Sequence, residues 1–332
     1  MPIKPTARRP WMAGALLTCL GLLGVSSPAL AQSGYPNKPI RLIVPFSPGG
    51  VTDTSGRLVA EQLSKRLGQQ VVVDNKPGAS GNIGTQLVVN AEPDGYTLAL
   101  CFDGNMVINP HVFAKMPFDT VRDLAPVGKI GDAVLILVTQ PGLAAKSLRE
   151  VIELSKKQSG GLSYGTSGTG STPHIAGELL KMRTGANLVH IPYKGGGQAL
   201  IDVISGNIPL VYTAIAGAAQ HVKNGKLHPV AVSSLQRSRA LPDVPTFIES
   251  GVSEFDVSSW VGIFAPPKTP RAIIERLNTE LNVVLADPEV RERLVQLGIS
   301  ATPSTPDKFG EEIRRDLARY GPVVKAAGIK AE

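Results

Sequence analysis

The chain has 332 residues, a formal net charge of +7 and two cysteines. It contains no lysine- and arginine-rich run interleaved with aromatic residues, so we expect no nucleic-acid partner. Its first ten residues contain three basic side chains and no acid, and an apolar run then leads to Ala29-Leu30-Ala31. This order is typical of a secretory signal peptide, which we assign to residues 1–31.

Export sets limits on the remaining chain, residues 32–332. Three basic residues leave with the signal peptide, so the net charge falls to a mild +4. One cysteine remains, Cys101, which excludes an internal disulfide and a thiolate metal cluster in the exported chain. The length suits two domains, and we expect a soluble exported protein. Arg8-Arg9 is followed by only a loose twin-arginine match, which favours ordinary secretion.

Apolar strands alternate with helical patterns from residue 40 onward. The first strand, 40–46, precedes a helix that ends at Gly68, and strands follow at 71–75 and 96–102. Ser147 and Glu150 form a capping box that opens a later helix. Further strands are predicted at 162–166, 188–193, 208–215 and 227–234, and three C-terminal helices begin at Thr269-Pro270, Asp287-Pro288 and Thr305-Pro306. Each pair is expected to place a capping side chain before a proline at the first helical position. The order predicts an α/β fold with mainly parallel sheet.

Five connections share one construction, in which a strand is followed by a turn rich in Gly, Ser, Thr or Asn and then by a helix N-terminus. They are Ser47–Asp53, Lys76–Gly84, Asp103–Asn105, Thr166–His174 and Lys194–Gln198. Such turns gather at the carboxyl ends of strands, where free N–H groups and helix N-termini favour anions. Any single loop of this kind could contain these residues only because a strand-to-helix turn requires them. Five in one chain favour a cradle for a negatively charged ligand.

Catalytic and metal signatures are missing from the sequence. It contains no G-x-S-x-G, P-loop, H-E-x-x-H or EF-hand pattern, and its five histidines show no metal-ligand spacing. We therefore expect no cofactor, no metal and no enzymatic activity. Ser171 and His174 could form a nucleophile pair, but both would share one helical turn with no third member. An exported serine hydrolase using this pair is the alternative, and a scaffold without ligand is a third possibility.

Several motifs, in order from about Tyr35 to the C-terminus, together resemble the Bug family of periplasmic solute-binding proteins, which belongs to the tripartite tricarboxylate transporter class. They are YPNKPIRLIVPFSPGGVTD, VVVDNKPGASGNIG, PDGYTL, YGTSGTGSTPHIAGELL, PYKGGGQAL, LPDVPT and WVGIFAPPKTP. Phe102-Asp103-Gly104 departs from the family, many of whose members have a more hydroxyl-rich turn here. The departure bears on the identity of the ligand.

The resemblance implies a two-domain periplasmic binding protein fold of type II, with a ligand cleft between lobes joined by two crossing strands. Domain 1 would comprise 32–131 and 254–332, and domain 2 would comprise 132–253. The crossing strands would lie near Val127–Leu135 and Phe255–Phe264. We expect a monomer that closes over its ligand and presents the closed form to membrane transporter subunits or to a sensor protein.

The family's ligands are small carboxylates, either amino acids or di- and tricarboxylic acids, held by backbone groups, hydroxyls and water. In domain 1 the resemblance assigns ligand contacts to Phe46, Ser47, Gly49, Gly50, Ala79, Ser80 and Asn105. In domain 2 it assigns them to Ser167, Gly168, Ser171, His174, Tyr193, Gly195, Gly196 and Thr213. His174 could instead hydrogen-bond the neighbouring loop. Gly195 and Gly196 are expected to let the backbone approach the ligand at positive φ.

Overall fold

The computed structural model describes residues 34–46, 48, 51–193 and 195–330. The predicted signal peptide with its cleavage site, and the predicted ligand residues Ser47, Gly49 and Gly50, lie outside this part of the chain. The described strands are β1 (Ile40–Val44), β2 (Val71–Asn75), β3 (Thr97–Phe102), β4 (Ala125–Ala133), β5 (Leu135–Thr139), β6 (Leu162–Thr166), β7 (Leu188–Pro192), β8 (Leu210–Ala214), β9 (His228–Val232), β10 (Ser259–Ala265) and β11 (Ile299–Ala301).

The described helices follow the alternation that the sequence predicts. They are α1 (Val51–Leu67), α2 (Asn82–Val89), α3 (Asn109–Val112), α4 (Leu148–Lys157), α5 (Thr172–Thr184), α6 (Gly196–Ile204), α7 (Ile215–Lys223), α8 (Arg271–Ala286), α9 (Pro288–Gln296) and α10 (Pro306–Ala326). None of them combines the length and the apolar character needed to cross a bilayer.

The strands form two sheets. The first has the order β11-β4-β10-β3-β1-β2 and the second has the order β7-β6-β8-β5-β9. β1 pairs in parallel with β2 and β3, and β6 pairs in parallel with β7 and β8, as the alternation of strands and helices predicts. β10 and β5 are antiparallel to both of their neighbours. The prediction of a mainly parallel sheet is therefore wrong. Four strand pairings are parallel, but five pairings made by β4, β5, β10 and β11 are antiparallel and make both sheets mixed.

Two connections carry the chain between the sheets. β4 belongs to the first sheet and β5 to the second, and Val134 alone separates them. The Val134 N–H donates to Gly298 O at 3.2 Å, and its carbonyl accepts from Ile215 N–H at 2.9 Å. The chain returns to the first sheet between β9 and β10, where the Val257 N–H donates to Ser233 O at 3.1 Å. The predicted crossings near Val127–Leu135 and Phe255–Phe264 overlap these two connections.

The three C-terminal helices begin where the sequence predicts. Asp287 and Thr305 cap α9 and α10 with their side chains, and each helix has Pro at its first position. α8 differs, because its N-cap is Pro270 itself and no side chain caps it. The Thr269 hydroxyl donates instead to Pro266 O at 2.8 Å. The Thr-Pro pair therefore marks the start of α8 correctly, but the predicted capping is wrong.

An apolar cluster of the first sheet includes buried side chains of β3, β10 and α10. Trp260 is 1% exposed and packs edge-on against Phe309, with ring centroids 5.1 Å apart. Ile175 of α5 belongs to the same cluster and is fully buried. Burial of one such aliphatic side chain stabilises a fold by roughly 1.5–3 kcal/mol. Because α5 follows a strand of the second sheet, this contact joins the two sheet regions.

Candidate functional site

The loop after β6 is shaped by Gly168. This residue has φ 128°, a backbone conformation that favours glycine. Its carbonyl accepts from the Ser171 N–H at 3.2 Å and from the Ser171 hydroxyl at 2.7 Å. The Ser171 side chain is thereby turned back onto its own loop. Ser167, which precedes Gly168, is exposed.

The N-terminus of α5 is not capped by a side chain in the described structure. Ser171 occupies the N-cap position, but its hydroxyl makes no capping hydrogen bond, and Pro173 removes one N–H of the first turn. Helix α5 has 13 residues, so its backbone dipoles give the N-terminus a partial positive charge. The arrangement suits an anion bound by backbone groups.

His174 hydrogen-bonds the neighbouring loop, which is the second of the two roles that the sequence predicts for it. Its Nδ1 accepts from the Gly170 N–H at 3.1 Å, and its ring stacks on His190 with centroids 3.6 Å apart and an interplanar angle of 12°. The His190 Nε2 lies 2.7 Å from the Thr166 hydroxyl. Burial lowers the pKa of His174 to about 4 and that of His190 to about 3. At neutral pH the His174 and His190 rings are therefore both neutral, and they pack against the loop after β6.

This geometry gives no support to the hydrolase alternative. The Ser171 hydroxyl donates to a backbone carbonyl, His174 Nδ1 accepts from a backbone N–H, and His174 Nε2 lies 3.9 Å from Glu178 Oε1. A nucleophilic serine needs a base that accepts its proton. The pair therefore lacks the serine-to-histidine hydrogen bond that activation requires.

The loop after β7 brings three of the predicted residues beside β8. The Tyr193 hydroxyl donates to Asp202 Oδ2 at 2.7 Å, and burial together with this carboxylate raises the pKa of Tyr193 to about 12. Gly195 has φ 166°, which is extended backbone, and Gly196 is the first residue of α6. The expectation of positive φ at these glycines is wrong. Space is the reason for glycine at Gly196, because an added Cβ would lie 2.7 Å from Thr213 Oγ1.

In the first sheet region, the turn before α2 is strained. Gly78, Ala79, Ser80 and Gly81 all have positive φ, with values of 45° and 51° at the two non-glycine residues. Asn109 Nδ2 donates to Ser80 O at 3.0 Å and holds the turn. Ala79 and Ser80 are exposed. Backbone strain that the surrounding structure maintains is common at ligand sites.

Phe46 and Asn105 lie on either side of Gly81, whose added Cβ would meet both side chains within 3.1 Å. Phe46 also packs on Phe102, with ring centroids 4.7 Å apart. Asn105 is fully buried, accepts from the Phe102 N–H and donates to Thr85 Oγ1, each at 3.0 Å. Its amide supports the turn after β3, so a direct ligand contact by Asn105 stays a prediction without geometric support.

Asp103 was not among the predicted ligand residues, and the structure places it where the two sheet regions meet. Its buried carboxylate accepts from the Thr172 hydroxyl at 3.0 Å and from the Ser259 hydroxyl. Burial raises its pKa to about 7. The sequence feature that could have identified Asp103 is its position, an acid directly after a buried strand. His190 and Asn109 were missed because each acts through a loop that lies far away in sequence.

An open depression elsewhere on the surface is lined by residues 146–149, 228–230, 243–245 and 249–251. None of the predicted ligand residues lines it. The predicted residues that the structure describes lie instead in or beside loops at the carboxyl ends of β1 and β2, of β3, and of β6, β7 and β8. Asp103 and Thr172 join these two groups.

Two α/β regions joined by two crossing connections, with glycine-rich loops at the strand ends, define a periplasmic binding protein fold of type II. The solved periplasmic binding protein BugD is 33% identical, with a TM-score of 0.80 over 90% of this chain and 100% of BugD. The sequence model of the tripartite tricarboxylate transporter family receptor matches residues 56–329. This chain belongs to that family, and the resemblance to Bug proteins is confirmed.

Two further solved structures contain ligands. A protein of R. palustris solved with adipate is 32% identical, with a TM-score of 0.83 over 89% of this chain and 99% of its own. MatC from Rhodopseudomonas palustris, solved with bound malate, is 28% identical, with a TM-score of 0.79 over 87% of this chain and 100% of MatC.

Proposed function

We propose that this protein is an exported receptor that captures a small carboxylate between two lobes, 32–131 with 254–332 and 132–253. The carboxylate would be an amino acid or a di- or tricarboxylic acid. After cleavage behind Ala31, the periplasmic receptor would deliver its ligand, as a monomer, to a tripartite tricarboxylate-type transporter or to a sensor. The family match and the adipate and malate bound by two similar proteins support this proposal.

The observation that carries the proposal is the kind of helix start found at the predicted ligand loops. The N-termini of α2, α5 and α6 follow β2, β6 and β7, and among the described residues no side chain caps any of the three. At α2 the Ile83 N–H donates to Gly78 O at 3.4 Å. Unsatisfied N–H groups at a helix start are donors aimed at an anion. Both sheet regions contribute such starts, so a ligand with two anionic ends could engage both lobes.

Backbone recognition also fits the charges in these loops. No arginine occurs in the five loops, and their basic side chains are Lys76, Lys194 and His174. Lys76 Nζ lies 3.2 Å from Asp74 Oδ1, and burial holds the pKa of His174 near 4. A guanidinium clamp is therefore not the anchor that we propose. Backbone N–H groups and hydroxyls would hold the carboxylate, with Ser80 beside it. The Ser171 hydroxyl would have to exchange its bond to Gly168 O for one to the ligand.

Mass spectrometry of the natively purified protein, followed by calorimetry, tests the function. We expect a retained small carboxylate. In a titration panel of L-malate, adipate, citrate and L-glutamate, we expect the best binder to lose about 2–4 kcal/mol when one carboxylate is replaced by a carboxamide, since donors then face an NH₂ group. Equal affinity for acid and amide would exclude the proposed anchor. Failure to retain or bind any carboxylate would exclude the proposed function.

A further inference from the structure

The carboxylate of Asp103 lies at a three-way junction. Asp103 follows β3 of the first sheet, Thr172 is the first residue of α5 behind the second sheet, and Ser259 begins the crossing strand β10. Both hydroxyls donate to the same carboxyl group, which is fully buried. Thr172 lies 69 residues from Asp103 and Ser259 lies 156 residues from it, so the contact ties together three distant parts of the chain.

The junction lies against two apolar contacts between the same regions. Ile175 of α5 is buried in the cluster that contains Trp260 and Val112. An added Cβ on Gly170 would lie 3.2 Å from Val112 Cγ1, so the loop before α5 approaches α3 closely. The apolar contacts lack direction, whereas the hydrogen bonds to Asp103 fix the orientation of the α5 N-terminus.

We propose that Asp103 is a positioning residue that holds the N-terminus of α5 against the first lobe and thereby sets how readily the two lobes close. This inference rests on the proposed two-lobe function. Asp103 acts through Thr172 on the donor end of α5 and does not itself touch the ligand. The chemistry requires only a carboxyl group and two hydroxyl donors, all of which the chain supplies.

The charged and titratable groups around Asp103 make the junction sensitive to pH. Its pKa is raised by burial and by the nearby negative charge of Asp316 on α10, and lowered by the hydroxyl donors and by the Gly104 N–H. Tyr320 of α10 also faces Asp103, and its own pKa is raised well above its usual value. Asp256 and Arg319 also act on Tyr320.

The sign of the pH effect follows from desolvation of the acid. In the joined arrangement the pKa of Asp103 is about 7, whereas its usual value is 3.8. Separating the lobes removes part of this burial and moves the pKa of Asp103 from about 7 towards 3.8. Joining the lobes therefore takes up a proton, and the joined form loses stability as pH rises towards 7. Between pH 5.5 and pH 8.0 the equilibrium constant for closure should fall by up to about 30-fold.

Small-angle scattering of the protein without any added ligand tests this pH dependence. The wild type should have a smaller radius of gyration at pH 5.5 than at pH 8.0. Asp103→Asn cannot ionise but keeps an acceptor oxygen, so its radius of gyration should not change between these two values. The difference between wild type and variant isolates Asp103 from Asp256, whose pKa is also raised by burial. Identical pH profiles for the two proteins would overturn the proposal.

Amide hydrogen exchange of the same ligand-free protein tests the positioning. At pH 8.0, where Asp103 is ionised, Thr172→Val should speed exchange in residues 168–176 by about ten-fold, because a hydrogen bond to a charged group is lost. Thr172→Ser keeps the hydroxyl and should exchange like the wild type. Thr302→Val is the matched control, since the Thr302 hydroxyl donates to Asp132 Oδ2 at 2.9 Å, and Asp132 lies on β4 of the first sheet, away from α5. Wild-type exchange in Thr172→Val would refute positioning, and the result is decisive even if no carboxylate binds.

Discussion

Two serines at helix starts are used in opposite ways. Ser147 precedes α4 and forms a complete capping box, in which its hydroxyl accepts from the Glu150 N–H and the Glu150 carboxylate accepts from the Ser147 N–H. Ser171 precedes α5, and its hydroxyl donates backward to Gly168 O. The same residue type therefore closes one helix end and leaves the other open. The difference comes from the loop that precedes the helix, because only the second contains a glycine at positive φ that turns its carbonyl toward the serine.

The same division extends to other helices. Asp287 and Thr305 cap α9 and α10, which pack on the first sheet, whereas α2 and α6 begin at Gly81 and Gly195 without a side-chain cap. α8 is also uncapped at Pro270. α8 follows β10, which is antiparallel to both of its neighbours, whereas α2, α5 and α6 follow strands with parallel neighbours. An uncapped start is thus a binding signal only where the helix follows the carboxyl end of a strand in the parallel part of its sheet.

The largest effect is expected from filling an open helix start. Gly196→Val would place Cβ about 2.7 Å from Thr213 Oγ1, and such overpacking costs about 1–3 kcal/mol. We expect carboxylate affinity, measured by calorimetry, to fall by up to about 100-fold. Thr213→Ala in the same chain should restore part of it. Gly142→Val, near the capped α4, is the control, because an added Cβ there meets nothing within 4 Å. Wild-type affinity in Gly196→Val would show that the loop is only a turn.

Acid should weaken the support beneath the open α5 start. The pKa of His174 is about 4 in the folded protein against a usual 6.5. The unfolded chain therefore binds the proton more readily, and stability that is complete above pH 6.5 is lost as pH falls through 4. Between pH 7 and pH 5 the free energy of unfolding should fall by about 2 kcal/mol through this ring. Denaturant titrations should show a shallower pH slope in His174→Gln, whereas Ser147→Ala should keep the wild-type slope. An unchanged slope in His174→Gln would contradict the buried neutral ring.

Alanine at the two serines should separate stability from binding. Ser147→Ala removes a cap and should lower the free energy of unfolding by about 1 kcal/mol with little change in carboxylate affinity. Ser171→Ala removes no cap and should change stability less, while weakening binding by about 1 kcal/mol. Thermal unfolding and calorimetry measure the two effects. The comparison fails if both variants lose stability alike and neither loses affinity.

The smallest effect is expected from salt. Backbone dipoles within a binding cleft are screened less than exposed charges, so a rise from low to moderate ionic strength should weaken carboxylate binding by less than about 0.5 kcal/mol. Calorimetry at two salt concentrations measures this change. A steep loss of affinity would point to a mobile charged side chain, with Lys194 the first to replace by Met.

The sequence predicts much of this architecture because its signals are local. The capping box at Ser147 and the caps at Asp287 and Thr305 act within three residues, and all three are present. The alternation of strands and helices determines the parallel pairing of β1 with β2 and of β6 with β7. The family motifs contain the loops to which the resemblance assigns the ligand contacts. That the predicted ligand residues contact a carboxylate stays a prediction, also for those that the structure describes.

Contacts between distant segments were decided by the tertiary structure. The order of strands in each sheet brings Asp103 to Thr172 and places His190 under His174, and no local pattern encodes either neighbour. The glycine at Gly196 shows the same limit. Its sequence context predicts an unusual backbone conformation, but the residue is helical, and glycine is needed because Thr213 of the neighbouring strand occupies the space. Local propensity acts over a few residues, whereas packing between strands and lobes depends on how the whole chain is folded.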